Sequence, residues 1–178
     1  VEESDFVEHL FTATMHDYLM FFTQSGRCYV ERVFEIPEGS RASKGRSIAN
    51  LLELRSEEKI AATIRIQGQK TDEETWSDKL HVVFSTRGGI VKKSNLNDFK
   101  NIRKGGIIAI KIEEGDELVD VQVTAGSNDV VLATRHGLSL RFHESDVREM
   151  GRDTTGVKGI ELRPDDLHQR HQRCRVEE

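Results

Sequence analysis

Val82-Val83-Phe84-Ser85-Thr86-Arg87-Gly88-Gly89-Ile90-Val91-Lys92-Lys93 is an apolar run, a Thr-x-x-Gly step and a second run that mixes apolar and charged residues. β-Branched and aromatic residues on both sides of the step suit strands, and the glycine closing it supplies the positive φ of a tight reversal. The stretch reads as a β-hairpin. The pattern returns in Leu19-Met20-Phe21-Phe22-Thr23-Gln24-Ser25-Gly26-Arg27-Cys28-Tyr29-Val30 and in Val130-Val131-Leu132-Ala133-Thr134-Arg135-His136-Gly137-Leu138-Ser139-Leu140-Arg141. A motif that recurs in this way dictates repeated small units.

A second pattern, the glycine segment, follows each hairpin. It reads Lys44-Gly45-Arg46-Ser47-Ile48-Ala49-Asn50-Leu51, then Gly105-Gly106-Ile107-Ile108-Ala109-Ile110-Lys111-Ile112, then Thr155-Gly156-Val157-Lys158-Gly159-Ile160-Glu161-Leu162. The separations Thr23 to Gly45, Thr86 to Gly106 and Thr134 to Gly156 are nearly equal, so the interior of the unit has a fixed length. The first two hairpins lie further apart than the last two. The polar stretch from Gln67 to Asp78 accounts for the excess as a rim insertion, with Trp76 as its packing anchor.

A third strand is expected to open each unit, at Val7 to Thr14, Ile60 to Ile66 and Leu118 to Thr124, and the glycine segment supplies a fourth. Ser94 to Asn101 and Glu144 to Met150 hold a helical turn at most. Four short strands per ~50 residues is the signature of a propeller blade. The expected fold is all-β: a partial propeller of about three four-stranded blades. It forms one domain over residues 1–167, in units of about 5–55, 56–113 and 114–167. Residues 168–178 are polar throughout, cannot fill a core and are expected to be disordered.

The 178 residues include 36% hydrophobic and 32% charged side chains, with only two prolines, which describes a surface-rich globular chain. The longest apolar runs are too short to span a bilayer, and the acidic opening is unlike a signal peptide. Isolated Cys28 and Cys174 make no disulfide framework, so a cytosolic protein is expected. The net charge of −5 argues against a polyanionic partner when taken alone. The charges are segregated, however. Acid gathers at Glu2 to Glu8, Asp72 to Asp78 and Glu113 to Asp120, and base at Arg41 to Arg46, Arg87 to Lys93 and Lys100 to Lys104. Such a pattern can present a basic face despite an acidic total.

Three stretches carry a family resemblance: Arg41-Ala42-Ser43-Lys44-Gly45-Arg46-Ser47-Ile48-Ala49-Asn50-Leu51-Leu52, Asp116-Glu117-Leu118-Val119, and the run from Ser145 through Gly151-Arg152-Asp153-Thr154-Thr155-Gly156-Val157-Lys158-Gly159-Ile160. From about Asp5 to Leu167 the chain resembles the C-terminal domain of the DNA gyrase A subunit. That resemblance implies a β-pinwheel whose neighbouring blades exchange a strand, with duplex DNA wrapped around a basic outer rim. It implies a bacterial, cytoplasmic, nucleoid-associated enzyme that supercoils DNA, with ATP and magnesium used in other domains, and as partners the gyrase B subunit and the rest of the A subunit. The hallmark Gln-Arg-Arg-Gly-Gly-Lys-Gly box of the family would precede Val1. The family's breakage-reunion domain with its catalytic tyrosine is not expected within these residues, and Tyr18 and Tyr29, in strand-like repeats, are not expected to inherit that role.

Basic residues recur beside the glycines. In the first unit they are Arg41, Lys44 and Arg46. In the second they are Lys92, Lys93, Arg103 and Lys104, and in the third Arg141, Arg148, Arg152 and Lys158. These eleven are the expected DNA contacts. Backbone phosphates need only cations and exposed N–H groups, and glycine turns let N–H groups approach. No cofactor, metal or catalytic site is expected. His168, His171 and Cys174 make a poor zinc site in a polar tail, Gly105-Gly106 lacks the Lys-Ser or Lys-Thr of a phosphate loop, and Glu113 to Glu117 does not match a calcium loop. Three other readings stand beside DNA wrapping by gyrase. One is the corresponding domain of topoisomerase IV. A protein-binding propeller would expose an apolar patch, which 6% aromatic residues support poorly. A catalytic propeller would need acids or histidines at matching positions of the repeats.

Overall fold

The computed structural model describes residues 10–40, 43–162 and 175–176. The first hairpin is β1 (Tyr18–Thr23) and β2 (Arg27–Arg32), the second β4 (His81–Thr86) and β5 (Ile90–Asn95), and the third β8 (Asp129–Ala133) and β9 (Ser139–His143). In all three the Thr-x-x-Gly step does the same work. The glycine N–H donates to the threonine carbonyl, at 2.9, 3.0 and 3.1 Å in chain order. The next residue's N–H donates to the threonine Oγ1, at 3.1, 3.2 and 3.2 Å. Each glycine has φ near +80° (+83°, +81°, +82°), which a side chain would strain.

Strands from outside each hairpin complete the sheets. β3 (Ile60–Ile66) pairs with β1, and β7 (Leu118–Thr124) pairs with β4. On the opposite edges, β6 (Ile107–Ile108) pairs with β2 and β10 (Val157–Lys158) with β5. The strand orders are β3-β1-β2-β6 and β10-β5-β4-β7. The second and third glycine segments therefore each lie on the sheet built around the hairpin of the preceding unit. This is the strand exchange that the resemblance implies. The third sheet is β8, β9 and β11 (Arg175–Val176), with β11 antiparallel to β8. That short strand falls in the stretch expected to be disordered; the rest of 168–178 lies outside the described residues.

The first glycine segment departs from the expected strand. Ser47 caps a 3-10 turn at Ile48–Asn50, and no strand forms. β6 and β10 exist because a preceding hairpin offers them a free edge. Among the described residues no hairpin precedes β1, and the segment folds onto the outer face of the first sheet instead. Leu52 is buried there with Leu19, Phe21 and Tyr29. Residues 10–14 likewise carry no strand, and 7–9 lie outside the described residues.

The sheets stack face to face. Met20 and Phe22 on one face of β1 meet Val82 and Phe84 of β4, with Phe99 completing a ring cluster in which Phe22 and Phe84 lie 5.5 Å apart, edge to face. The other face of the second sheet, through Val83 and Val91, meets Val130, Leu132 and Val147 of the third unit. Burial on both faces explains the unbroken apolar runs of β1 and β4. The insertion holds a single helical turn, α1 (Asp72–Thr75), capped by Thr71 Oγ1, and it delivers Trp76 to the core at 4% exposure. The two other expected helical turns are 3-10 turns at Leu96–Phe99 and Glu144–Asp146.

Candidate nucleic-acid interface

β6 and β10 occupy equivalent outer edges of neighbouring sheets, and the cations ahead of them occupy equivalent places. Arg103 and Lys104 are exposed just before β6, and Arg152 just before β10, with Lys158 exposed on that strand. Gly106 and Gly156 hold φ of +67° and +106° there, and a Cβ would meet the Cys28 and Val91 carbonyl oxygens at 2.9 and 2.7 Å. Glycine is needed because the segment crosses the hairpin backbone directly. The second segment continues over the first hairpin, where the Ala109 and Ile110 N–H groups donate to the Gly26 carbonyl. The third repeats the bonds from Gly159 and Ile160 to Gly89.

The segments also join one another. Arg46 of the first and Lys104, just ahead of the second, line one open groove together with Glu31, Glu35 and Glu38. Lys111 of the second donates its N–H to the carbonyl of Thr154, just ahead of the third, at 2.9 Å. Residues far apart in the chain thus form a run along the sheet edges.

Eight of the eleven expected contacts are exposed: Lys44, Arg46, Arg103, Lys104, Arg141, Arg148, Arg152 and Lys158. Arg41 lies outside the described residues. Lys92 and Lys93 correct the sequence reading. They are buried, at 0% and 8% exposure, and donate to main-chain carbonyls: Lys92 Nζ to Ala109 and Arg152, Lys93 Nζ to Glu144 at 2.6 Å. β5 lies between two packed sheets, so both of its faces are interior. Neither ammonium reaches a ligand outside.

Three of the exposed cations have acidic neighbours. Arg141 Nε is 3.6 Å from Asp129 and Lys158 Nζ 3.0 Å from Glu161. Lys104 faces Glu31, whose carboxyl is pushed up by burial and then by its hydrogen bond to Glu35, with Lys104 opposing the shift. Among the described residues Lys44, Arg46, Arg103, Arg148 and Arg152 make no ion pair. Of the expected contacts, these five are the ones most open to phosphate. Lys111, exposed and 3.9 Å from Asp153, belongs to the same edge and was not among the expected contacts. Its position in the repeated glycine segment was the available signal.

The family model for the DNA gyrase C-terminal domain, a beta-propeller, matches residues 17–67, 80–125 and 128–167, one match per sheet unit. The chain belongs to this family. The DNA gyrase A subunit of Halalkalibacterium halodurans is 46% identical over 158 residues, 89% of this chain and 18% of the relative. That of Mycolicibacterium smegmatis is 41% identical over 168 residues, 93% of this chain and 19% of the relative. The chain therefore spans about a fifth of the length of the gyrase relatives it matches. Among solved structures, a topoisomerase IV C-terminal domain superposes with TM-score 0.72 at 32% identity, covering 84% of this chain and 45% of that one. A DNA gyrase A C-terminal domain gives 0.68 at 25% identity, covering 85% and 46%. The gyrase-family blade is thus the frame on which the cationic edge is built. His168, His171 and Cys174 lie outside the described residues, and no described helix is long and apolar enough to cross a membrane.

Proposed function

We propose that this chain binds duplex DNA through backbone phosphates along its outer sheet edges, as a wrapping element of a bacterial DNA gyrase, within its A subunit. The observation that carries this is the recurrence of exposed cations at the glycine segments of neighbouring sheets, joined along one run. The geometry suits wrapping: cations and main-chain N–H groups at repeated edges follow a backbone and read no bases. In the whole enzyme, cleavage belongs to the rest of the A subunit, and ATP and magnesium to other domains, with the gyrase B subunit for a partner. The site of action is the nucleoid in the cytoplasm. The likeness to the topoisomerase IV domain supports a second reading, in which the same edge guides DNA for that enzyme.

The test is gel shift with random-sequence duplexes of increasing length at two salt concentrations. Wrapping requires tighter binding to longer duplex and a steep loss with salt, about −0.9 in log–log slope per neutralised phosphate. Arg103→Glu with Lys104→Glu should weaken binding and leave thermal unfolding nearly unchanged, because both side chains are exposed. Equal affinity for short and long duplex, or no binding at low salt, removes the reading.

A further inference from the structure

Lys92 is a cation that the exposed edge does not use. Its cross-strand partner is Phe84, so its side chain leaves β5 on the face turned toward the first sheet. There Nζ donates to the carbonyl oxygens of Ala109 at 2.6 Å and Arg152 at 2.5 Å, and stands 5.5 Å from the centre of the Phe84 ring. The ammonium's three donors meet two carbonyls and a π face. Burying a cation is unfavourable unless it is matched in this way, and an aliphatic side chain would satisfy the core alone.

Ala109 lies in the second glycine segment and Arg152 in the stretch that leads into the third. The same two stretches are tied at their exposed side by the Lys111 N–H to Thr154 bond and by Lys111 Nζ at 3.9 Å from Asp153. Lys92 is therefore the buried end of a clasp whose exposed end carries Lys111 and Arg152. Lys93 takes no part, since it leaves the opposite face of the strand for the Glu144 carbonyl.

We propose that Lys92 is a positioning residue for the phosphate-binding edge: its ammonium holds the Arg152 backbone against Ala109, so that the cations of the second and third glycine segments keep one spacing. This rests on the edge being the DNA-binding surface. A side chain at 0% exposure cannot touch a phosphate, so its effect on binding must pass through the groups it holds.

The test measures the salt dependence of affinity for a long random-sequence duplex. It compares the unaltered chain with Lys92→Met, Arg152→Ala and the double variant. Methionine keeps an unbranched stem and removes the donors. Lys92→Met and Arg152→Ala should each weaken low-salt binding on the order of three- to tenfold and flatten the slope by about 0.9. The double variant should be no weaker than Arg152→Ala, because both changes remove one contact. Additive losses, or a folded Lys92→Met with unchanged slope, overturn the proposal. Failure of the unaltered chain to bind at low salt removes the DNA-binding reading, and this proposal with it. If Lys92→Met does not fold, amide exchange on the unaltered chain decides. Duplex should raise protection at Lys111 and at Gly159 together, and a gain at one segment alone overturns the clasp.

Discussion

Gly26 and Gly89 lie under the strand that the following unit lays across them. A Cβ on Gly26 would run into the Ile110 carbonyl oxygen, and one on Gly89 would sit 2.7 Å from that of Ile160, while Gly137 has nothing within 4 Å. All three share the same φ, so the hairpin turn alone does not distinguish them. Gly89→Ala is expected to cost about 2–4 kcal/mol and Gly137→Ala only about 1–2 kcal/mol, measured by urea denaturation; equal costs would mean that the overlying strand is not held there. Lys92 gives a second test at this scale. Burial lowers its pKa from 10.5 to about 8, with Asp98 and Asp153 opposing the shift and Arg152 adding to it. Between those values the unfolded chain binds the proton more readily than the folded one, so this group's contribution to stability rises with pH across the window. The stability of the unaltered chain relative to Lys92→Met should therefore increase from pH 8 to pH 10.5, as followed by chemical denaturation.

The 3-10 turn at Glu144–Asp146 is tied to two sheets. The fully buried Glu144 carboxylate accepts from Thr124 Oγ1 at 2.6 Å and from the Asn128 N–H at 2.7 Å, while its carbonyl takes the Lys93 ammonium. Burial pushes the carboxyl up, but those hydrogen bonds and the Lys93 charge together bring it below its usual 4.5. A depressed folded pKa means stability that is present above the unfolded value and lost as pH falls through the folded one. Glu144→Gln should cost about 1–3 kcal/mol at about pH 7, with the difference shrinking below pH 4.5. A cost independent of pH would assign the effect to shape alone. The insertion around α1 is anchored by Trp76, packed edge-on against Tyr18 at 5.2 Å. Trp76→Ala should cost about 3–5 kcal/mol, in contrast to the near-neutral outcome of an anchor lying on the surface. Trp76 is the sole tryptophan, so the folded chain should show blue-shifted emission that moves red on unfolding.

Strand exchange couples the sheets of the whole molecule. β6 cannot leave the first sheet without releasing the second unit's glycine segment, and β10 binds the third unit to the second in the same way. Urea unfolding followed by Trp76 emission, which reports the first two sheets, should coincide with the loss of far-ultraviolet β signal; separated midpoints would show that the units fold independently. DNA binding also belongs to this scale. Arg46, Lys104, Lys111 and Arg152 come from three repeats, and only the stacked sheets bring Arg46 to the groove of Lys104 and Lys111 beside the stretch of Arg152.

Local sequence is enough to establish the hairpins, their Thr-x-x-Gly turns, the repeat and the all-β class. Those features rest on side-chain alternation and on φ values that only glycine adopts cheaply, which are properties of a few neighbouring residues. It also marked the glycine segments as the places where cations recur. The tertiary structure alone decided which sheet each strand joins, because pairing is set by the nearest free edge and not by order in the chain. Lys44 to Leu51 and Gly105 to Ile112 share a pattern, yet among the described residues only the second has the hairpin of a preceding unit to pair with. Burial was decided at the same level. Two adjacent lysines look like solvated surface when read locally, but β5 lies between two packed sheets, and carbonyls of Ala109, Arg152 and Glu144 satisfy both ammonium groups inside.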